Sequence, residues 1–210
     1  MLLRLFLLVI LSALPCAGFA APKILVYGDS LSAGYGIPRG EEWPNLLARR
    51  LADQGYSHAV ANASISGETT SGGRARIEQT LAQHRPALVI LELGANDGLR
   101  GLPVPELRRN LSAIIETCRS QRVKILLVGM RLPPNYGPRY AQEFHASFKW
   151  LAQQYRIPLL DFLLDGVAGR RELVQDDGLH PTAAAQPRIL DNVWGALQPM
   201  LGKPAPAAPL

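Results

Sequence analysis

Two short segments carry residue types that together can perform acyl-transfer chemistry. Gln175-Asp176-Asp177-Gly178-Leu179-His180-Pro181 sets a carboxylate three residues before a histidine, and Gly28-Asp29-Ser30-Leu31-Ser32 sets a serine directly after an apolar run. Hydrolysis by an activated serine needs an imidazole to take the hydroxyl proton. It also needs a carboxylate to hold the imidazole tautomer and stabilise the imidazolium. One loop supplies both. Two further segments, Asn62-Ala63-Ser64-Ile65-Ser66-Gly67-Glu68-Thr69 and Glu92-Leu93-Gly94-Ala95-Asn96-Asp97-Gly98, close apolar, strand-like runs and offer hydrogen-bond donors suited to an oxyanion.

In this order the four blocks resemble the SGNH hydrolase family, also called GDSL hydrolases. Carried over by position, the resemblance implies Ser30 as nucleophile and Asp177 and His180 as its partners. It implies Ser30, Gly67 and Asn96 as oxyanion donors, and no metal or organic cofactor. Trp43-Pro44, Asp97-Gly98-Leu99-Arg100-Gly101 and Arg131-Leu132-Pro133-Pro134-Asn135-Tyr136-Gly137 look like the branch of periplasmic multifunctional thioesterases, lysophospholipases and arylesterases. The likeness spans nearly all of residues 23–200 and implies a flavodoxin-like three-layer α/β/α sandwich around a central, mostly parallel five-stranded sheet.

Taken singly, each residue also has a plain structural reading. Ser30 suits a helix N-cap, Asn96 a turn beside Asp97-Gly98, and Gly67 a backbone position of positive φ. His180 suits an ordinary loop. Independent accidents would rarely fall in family order after successive strands, and that order favours the joint reading. Asp176 stands beside Asp177 as a competitor for the carboxylate role.

The elements that must position these residues follow from periodicity. Apolar runs at residues 23–27, 58–61, 87–93, 123–130 and 157–162 read as strands, separated by stretches with helical spacing. Trp43, Leu46, Leu47 and Leu51 form one such stripe. Leu107, Leu111, Ile114 and Ile115 form another, and Phe144, Phe148, Leu151 and Tyr155 a third. The final helix is expected from an N-cap at Thr182 to Leu197, with Pro187 near its start. Such alternation argues α/β with a mostly parallel sheet. Ligand sites then lie at the carboxyl ends of the strands, where the candidate blocks fall.

Composition bounds the setting. Residues 1–20 hold Arg4, an apolar stretch and a small-residue end, which reads as a signal peptide cleaved after Ala20. A membrane anchor is the rival, but Pro15 and Gly18 interrupt a stretch already shorter than the ~20 apolar residues of a span. Cys16 raises a lipoprotein alternative, which Pro15 before it opposes. Residues 21–202 suit a single domain, and the Pro/Ala-rich residues 203–210 a disordered tail. Loss of the leader leaves Cys118 alone, so no intramolecular disulfide can form. The formal charge of +5 is scattered and forms no stripe suited to nucleic acid. His58, His84 and His145 lack metal-ligand spacing.

Several glycine-rich signals lead elsewhere and fail. Residues 28–36 match neither the P-loop nor the dinucleotide fingerprint, and Ser32 stands where the α/β-hydrolase elbow would place its second glycine. The expected protein is a periplasmic or secreted monomer with at most peripheral membrane contact. The resemblance to that branch implies action on small acyl esters, thioesters or lysophospholipids, and residues 98–103 resemble its mobile loop over the acyl site. Leu99, Leu102, Leu132, Pro133 and Tyr136 would supply an apolar wall for the acyl chain. Alternatives are a carbohydrate O-acetylesterase of the same fold, or a non-catalytic binding module.

Overall fold

Five short apolar strands form the centre of the structure, a computed structural model that describes residues 21–204. The expected leader, its cleavage point and Cys16 lie outside the described residues, as does most of the expected tail. The strands are β1 (Lys23–Gly28), β2 (Ala59–Asn62), β3 (Leu88–Glu92), β4 (Lys124–Val128) and β5 (Leu159–Leu160). They stand in the order β2-β1-β3-β4-β5, with every pairing parallel. Parallel neighbours require crossovers, and helices provide them. These are α1 (Ser30–Ala33), α2 (Trp43–Asp53), α3 (Thr70–His84), α4 (Ala95–Leu99), α5 (Val104–Ser120), α6 (Pro138–Tyr155) and α7 (Gln186–Leu197).

The helices form two layers, α2 packing on α7 in one, and α3 on α5 and α5 on α6 in the other. A strand covered on both faces has no polar side to show, and β3 is buried at every position. The stripes read from the sequence do the covering. Trp43, Leu47 and Leu51 of α2 are buried, as are Leu107, Leu111, Ile114, Ile115 and Cys118 of α5. Phe144 and Phe148, one turn apart on α6, meet edge to face at 5.4 Å between centroids. The expected α/β sandwich is the observed architecture. No helix among the described residues is long and apolar enough to cross a membrane.

The last helix and the fifth strand depart from expectation in ways with a physical reason. The last helix begins at Gln186, and Ala183–Ala185 forms a separate 3₁₀ turn. Pro187 has no N–H, and its ring would meet the carbonyl of Ala183 in a continuous α-helix, so the tighter turn intervenes. Thr182 precedes that turn and makes no side-chain cap bond. Pairing of the fifth strand covers only Leu159 and Leu160. Beyond it, the Leu163 amide turns back to the Gly129 carbonyl.

The sheet reverses its winding direction at β1, which has β2 on one side and β3 on the other. Such a switch opens a crevice at the strands' carboxyl ends. Gly129, at the exit of β4, lets the backbones close up there: its amide donates to the Leu160 carbonyl at 2.7 Å. A Cβ at position 129 would lie 2.3 Å from the Asp161 carbonyl oxygen, an atom with no rotamer to change. Gly129→Ala is therefore expected to cost about 1–3 kcal/mol, a fall of very roughly 2–4 °C in Tm per kcal/mol for a domain of this size. Thermal unfolding monitored by circular dichroism checks it; an unchanged Tm would mean that residues 160–161 withdraw freely.

Candidate active site

The turn after β1 is built around a buried aspartate. Asp29 caps α1 by accepting the Leu31 amide at 3.0 Å. Because Asp29 holds the cap position, Ser30 is the first residue of the helix and its hydroxyl is free for another partner. That partner is His180: Ser30 Oγ lies 2.9 Å from Nε2, although the two residues are 150 positions apart in the chain.

The histidine is oriented from behind. His180 Nδ1 lies 2.6 Å from Asp177 Oδ2, while Asp177 Oδ1 accepts the amides of Leu179 and His180, each at 2.9 Å. An ionised carboxylate only accepts, so Nδ1 carries the proton and Nε2 is left to accept from Ser30. Slight burial pushes Asp177 upward, but the two amides and the imidazole override it and hold the carboxyl at about 2. Asp177 thus stays anionic wherever imidazole chemistry takes place. Asp176 is exposed and makes no hydrogen bond to His180 among the described residues.

The loop bearing this pair is tied down at several points. Val174 bridges Pro181 in antiparallel fashion, and the Gln175 amide donates to the His180 carbonyl at 2.7 Å. The Gln175 side chain donates to the carbonyls of Tyr35 and Pro181 at 2.8 and 2.9 Å, joining the loop to the segment after α1. The Tyr35 ring rests against the imidazole, 4.5 Å between centroids. Sequence reasoning missed both roles. Neither Gln175 nor Tyr35 belongs to a local pattern that would announce such a long-range contact.

Asn96 sits in the first turn of α4, and its Nδ2 donates to Asp29 Oδ2 at 3.2 Å and to the Glu68 carbonyl at 3.0 Å. Gly67 adopts φ +79°, and its carbonyl is held by the Arg100 guanidinium at 3.1 Å. Its amide has no protein acceptor among the described residues. Asp97, which reads as a turn residue in the sequence, is buried and accepts both the amide and the hydroxyl of Thr70. It pins α4 to the start of α3, and so sets Asn96 against the Gly67 turn.

Ser30, Asn96 and His180 open onto one cavity of about 600 Å³. Its walls are mainly aliphatic, with Leu99, Leu132 and Pro133 on one side and Phe162, Leu164 and Val174 among the rest. Leu102 and Tyr136 do not line it. The Tyr140 hydroxyl donates to the Leu102 carbonyl at 2.7 Å and the Tyr136 hydroxyl to the Leu99 carbonyl at 3.1 Å, which ties residues 99–102 to residues 136–140. Residues 98–99 are helical, not loop. The 162–174 wall was not anticipated: its residues fall in an irregular stretch without periodicity. No cluster of three or more His, Cys, Asp or Glu residues that could hold a metal ion occurs among the described residues.

A 2-1-3-4-5 parallel sheet with serine, histidine and aspartate joined at its carboxyl edge defines the class, a serine ester hydrolase on an α/β sandwich. Comparison with known proteins gives the family. Residues 26–187 match the GDSL-like Lipase/Acylhydrolase family, and the chain belongs to it. It is 49% identical to Esterase TesA of Pseudomonas aeruginosa over 182 residues, 87% of this chain and 90% of that one. It is 41% identical to Thioesterase 1/protease 1/lysophospholipase L1 of Escherichia coli K12 over 182 residues, 87% of this chain and 86% of that one. The crystal structure of TesA superposes with a TM-score of 0.84, at 49% identity, covering 85% of this chain and 99% of that one.

The adjacent aspartates separate by experiment. Asp177→Asn is expected to lower kcat by up to about 10⁴, because the amide no longer enforces the Nδ1–H tautomer. Asp176→Asn is expected to stay near wild type. Steady-state kinetics on a simple ester measures both. Greater damage from Asp176→Asn would move the orienting role to that residue.

Proposed function

We propose that the protein is a periplasmic or secreted acyl hydrolase that cleaves esters and thioesters of medium to long acyl chains through an acyl-enzyme on Ser30. The observation that carries this is the chain from Asp177 through His180 to Ser30, with contacts of 2.6 and 2.9 Å, opening directly onto an aliphatic cavity. The names of the relatives, an esterase and a thioesterase that is also a lysophospholipase, fit such a substrate range.

The geometry supports the following course. As Ser30 Oγ attacks the acyl carbon, its proton passes to His180 Nε2, and the imidazolium is stabilised by Asp177. The carbonyl oxygen becomes an oxyanion that accepts from the Ser30 and Gly67 amides and the Asn96 side chain. When the tetrahedral species collapses, His180 gives the proton to the departing alkoxide or thiolate, leaving the acyl group on Oγ. Water then loses a proton to His180 as it attacks the acyl carbon. The second collapse releases the acid and returns the proton to Ser30.

A sugar O-acetylesterase needs room for an acetyl group only and polar or aromatic groups for the sugar. The aliphatic walls favour the longer chain. Each methylene withdrawn from water contributes up to ~0.8 kcal/mol. On p-nitrophenyl esters, kcat/KM is therefore expected to climb from acetyl to octanoyl. Leu132→Ala should leave acetyl turnover nearly intact while lowering octanoyl kcat/KM by several-fold, in keeping with the ~1–3 kcal/mol that small changes in an apolar pocket command. Preference for acetyl, or a uniform loss across all chain lengths, would contradict this reading.

A further inference from the structure

The last residue of β3 is not accounted for by its apolar run. Glu92 follows four buried apolar residues and is itself fully buried. Its Oε2 accepts the Ser32 hydroxyl at 2.6 Å and the Asp29 amide at 3.3 Å, while Oε1 has no partner among the described residues. Glu92 lies opposite Gly28 in the β1–β3 register, where a Cβ on residue 28 would come within 2.4 Å of Glu92 Oε2 and 2.9 Å of Ser32 Oγ. The carboxyl thus fills the space above β1 that a side chain at position 28 would need. It does not line the substrate cavity.

For stability alone this is an expensive residue. A buried polar atom without a partner costs on the order of 1–3 kcal/mol, whereas leucine at the same place would add apolar contact. The second carboxyl beside it makes the arrangement more specific. Asp29 is also fully buried, and its oxygens accept the Leu31 amide and the Asn96 side chain, a purely accepting role that suits its ionised form. Two adjacent carboxyls away from water do not both ionise. Burial and the charge of Asp29 push Glu92 well above the ordinary carboxyl range. Burial raises Asp29 to about 7, against the lowering pull of the Leu31 amide, His180 and Asn96, with Asp97 adding a smaller upward push. Glu92 keeps the proton, and Asp29 is the anion in mildly alkaline solution.

We propose that Glu92 is a positioning residue for ester hydrolysis: gripping Ser32 and the Asp29 amide, it fixes the Asp29 carboxylate, which in turn aims the Asn96 amide at the oxyanion. Both hydrogens of Asn96 Nδ2 have acceptors in the free protein. An ionised acceptor holds its donor more tightly than a neutral carbonyl. When the oxyanion forms, the bond to Asp29 therefore persists and the one to the Glu68 carbonyl is exchanged. Loss of Glu92 leaves Asn96 aimed by a carboxylate free to shift.

This inference rests on the reading of Asn96 as an oxyanion donor, and a double-mutant cycle distinguishes the two. Turnover of a p-nitrophenyl ester is measured for Glu92→Leu, Asn96→Ala and the double variant. Glu92→Leu is expected to lower kcat by about tenfold or more with KM changed by less than about twofold, the signature of a transition-state interaction. In the Asn96→Ala background the same substitution should cost less than about threefold, because contacts acting through one group are not additive. Glu92→Gln, which restores an acceptor for Ser32 and the Asp29 amide, should recover most of the loss. Should Glu92→Leu fail to fold, as judged by near-UV circular dichroism, Ser32→Ala enters the same cycle, and a non-additive loss with Asn96→Ala is again expected. Additive losses, or a Glu92→Leu enzyme with wild-type kcat, overturn the role of Glu92 alone. A fully active Asn96→Ala enzyme overturns the donor reading first, and this inference with it.

Discussion

The hydrogen-bonded chain from Asp177 through His180 to Ser30 is the constraint on which the rest of the structure depends. It joins the first strand's exit to a loop just before the last helix, 150 positions away, and it works only if both ends are rigid to within fractions of an ångström. The molecule meets that demand by different means at each end. The serine is fixed by a short helix capped by its own neighbour, Asp29. The histidine lies on an irregular loop, where no periodic hydrogen bonding holds the backbone. That loop is fixed by the Asp177 carboxylate accepting two of its amides, by the Val174–Pro181 bridge, and by Gln175 reaching across to the serine side.

The carboxyls around the site are driven in opposite directions by their surroundings. Asp177, partly open to water and receiving two amides, is held at about 2 and is anionic throughout the working range. Asp29 and Glu92, sealed beneath Ser30, are pushed up by loss of solvent. Such separation is how one site keeps a permanent anion behind the imidazole and a protonated acid a short distance away. Cys118 shows the same effect without the geometry: burial in the core pushes its thiol up to about 12, and it packs as an apolar group.

Legibility in the sequence followed the reach of the interactions. β1, β3 and β4 were readable because a strand covered on both faces must be an unbroken apolar run, and α2, α5 and α6 because each shows one apolar stripe. The three-residue spacing of Asp177 and His180 is local and was readable too, and the geometry brings that pair to Ser30. What escaped depends on the partner across space. Ser30 alone suits a cap, but the structure gives that place to Asp29. Glu92, Gln175 and Tyr35 gain meaning only from residues far away in the chain. Leu102 and Tyr136 have the hydrophobicity expected of an acyl wall, yet neither lines the cavity, and the Tyr136 hydroxyl is committed to the Leu99 carbonyl.

On the proposed mechanism, Ser30 forms the covalent bond to the acyl group. The most direct measurement is peptide mapping by mass spectrometry after inactivation with an alkyl phosphonofluoridate, a reagent that reacts with an activated serine in proportion to its nucleophilicity. A single adduct on Ser30, formed at the rate at which activity is lost, is the expected result. An adduct on Ser32, Ser64 or Ser66, or loss of activity with Ser30 unmodified, would contradict the account.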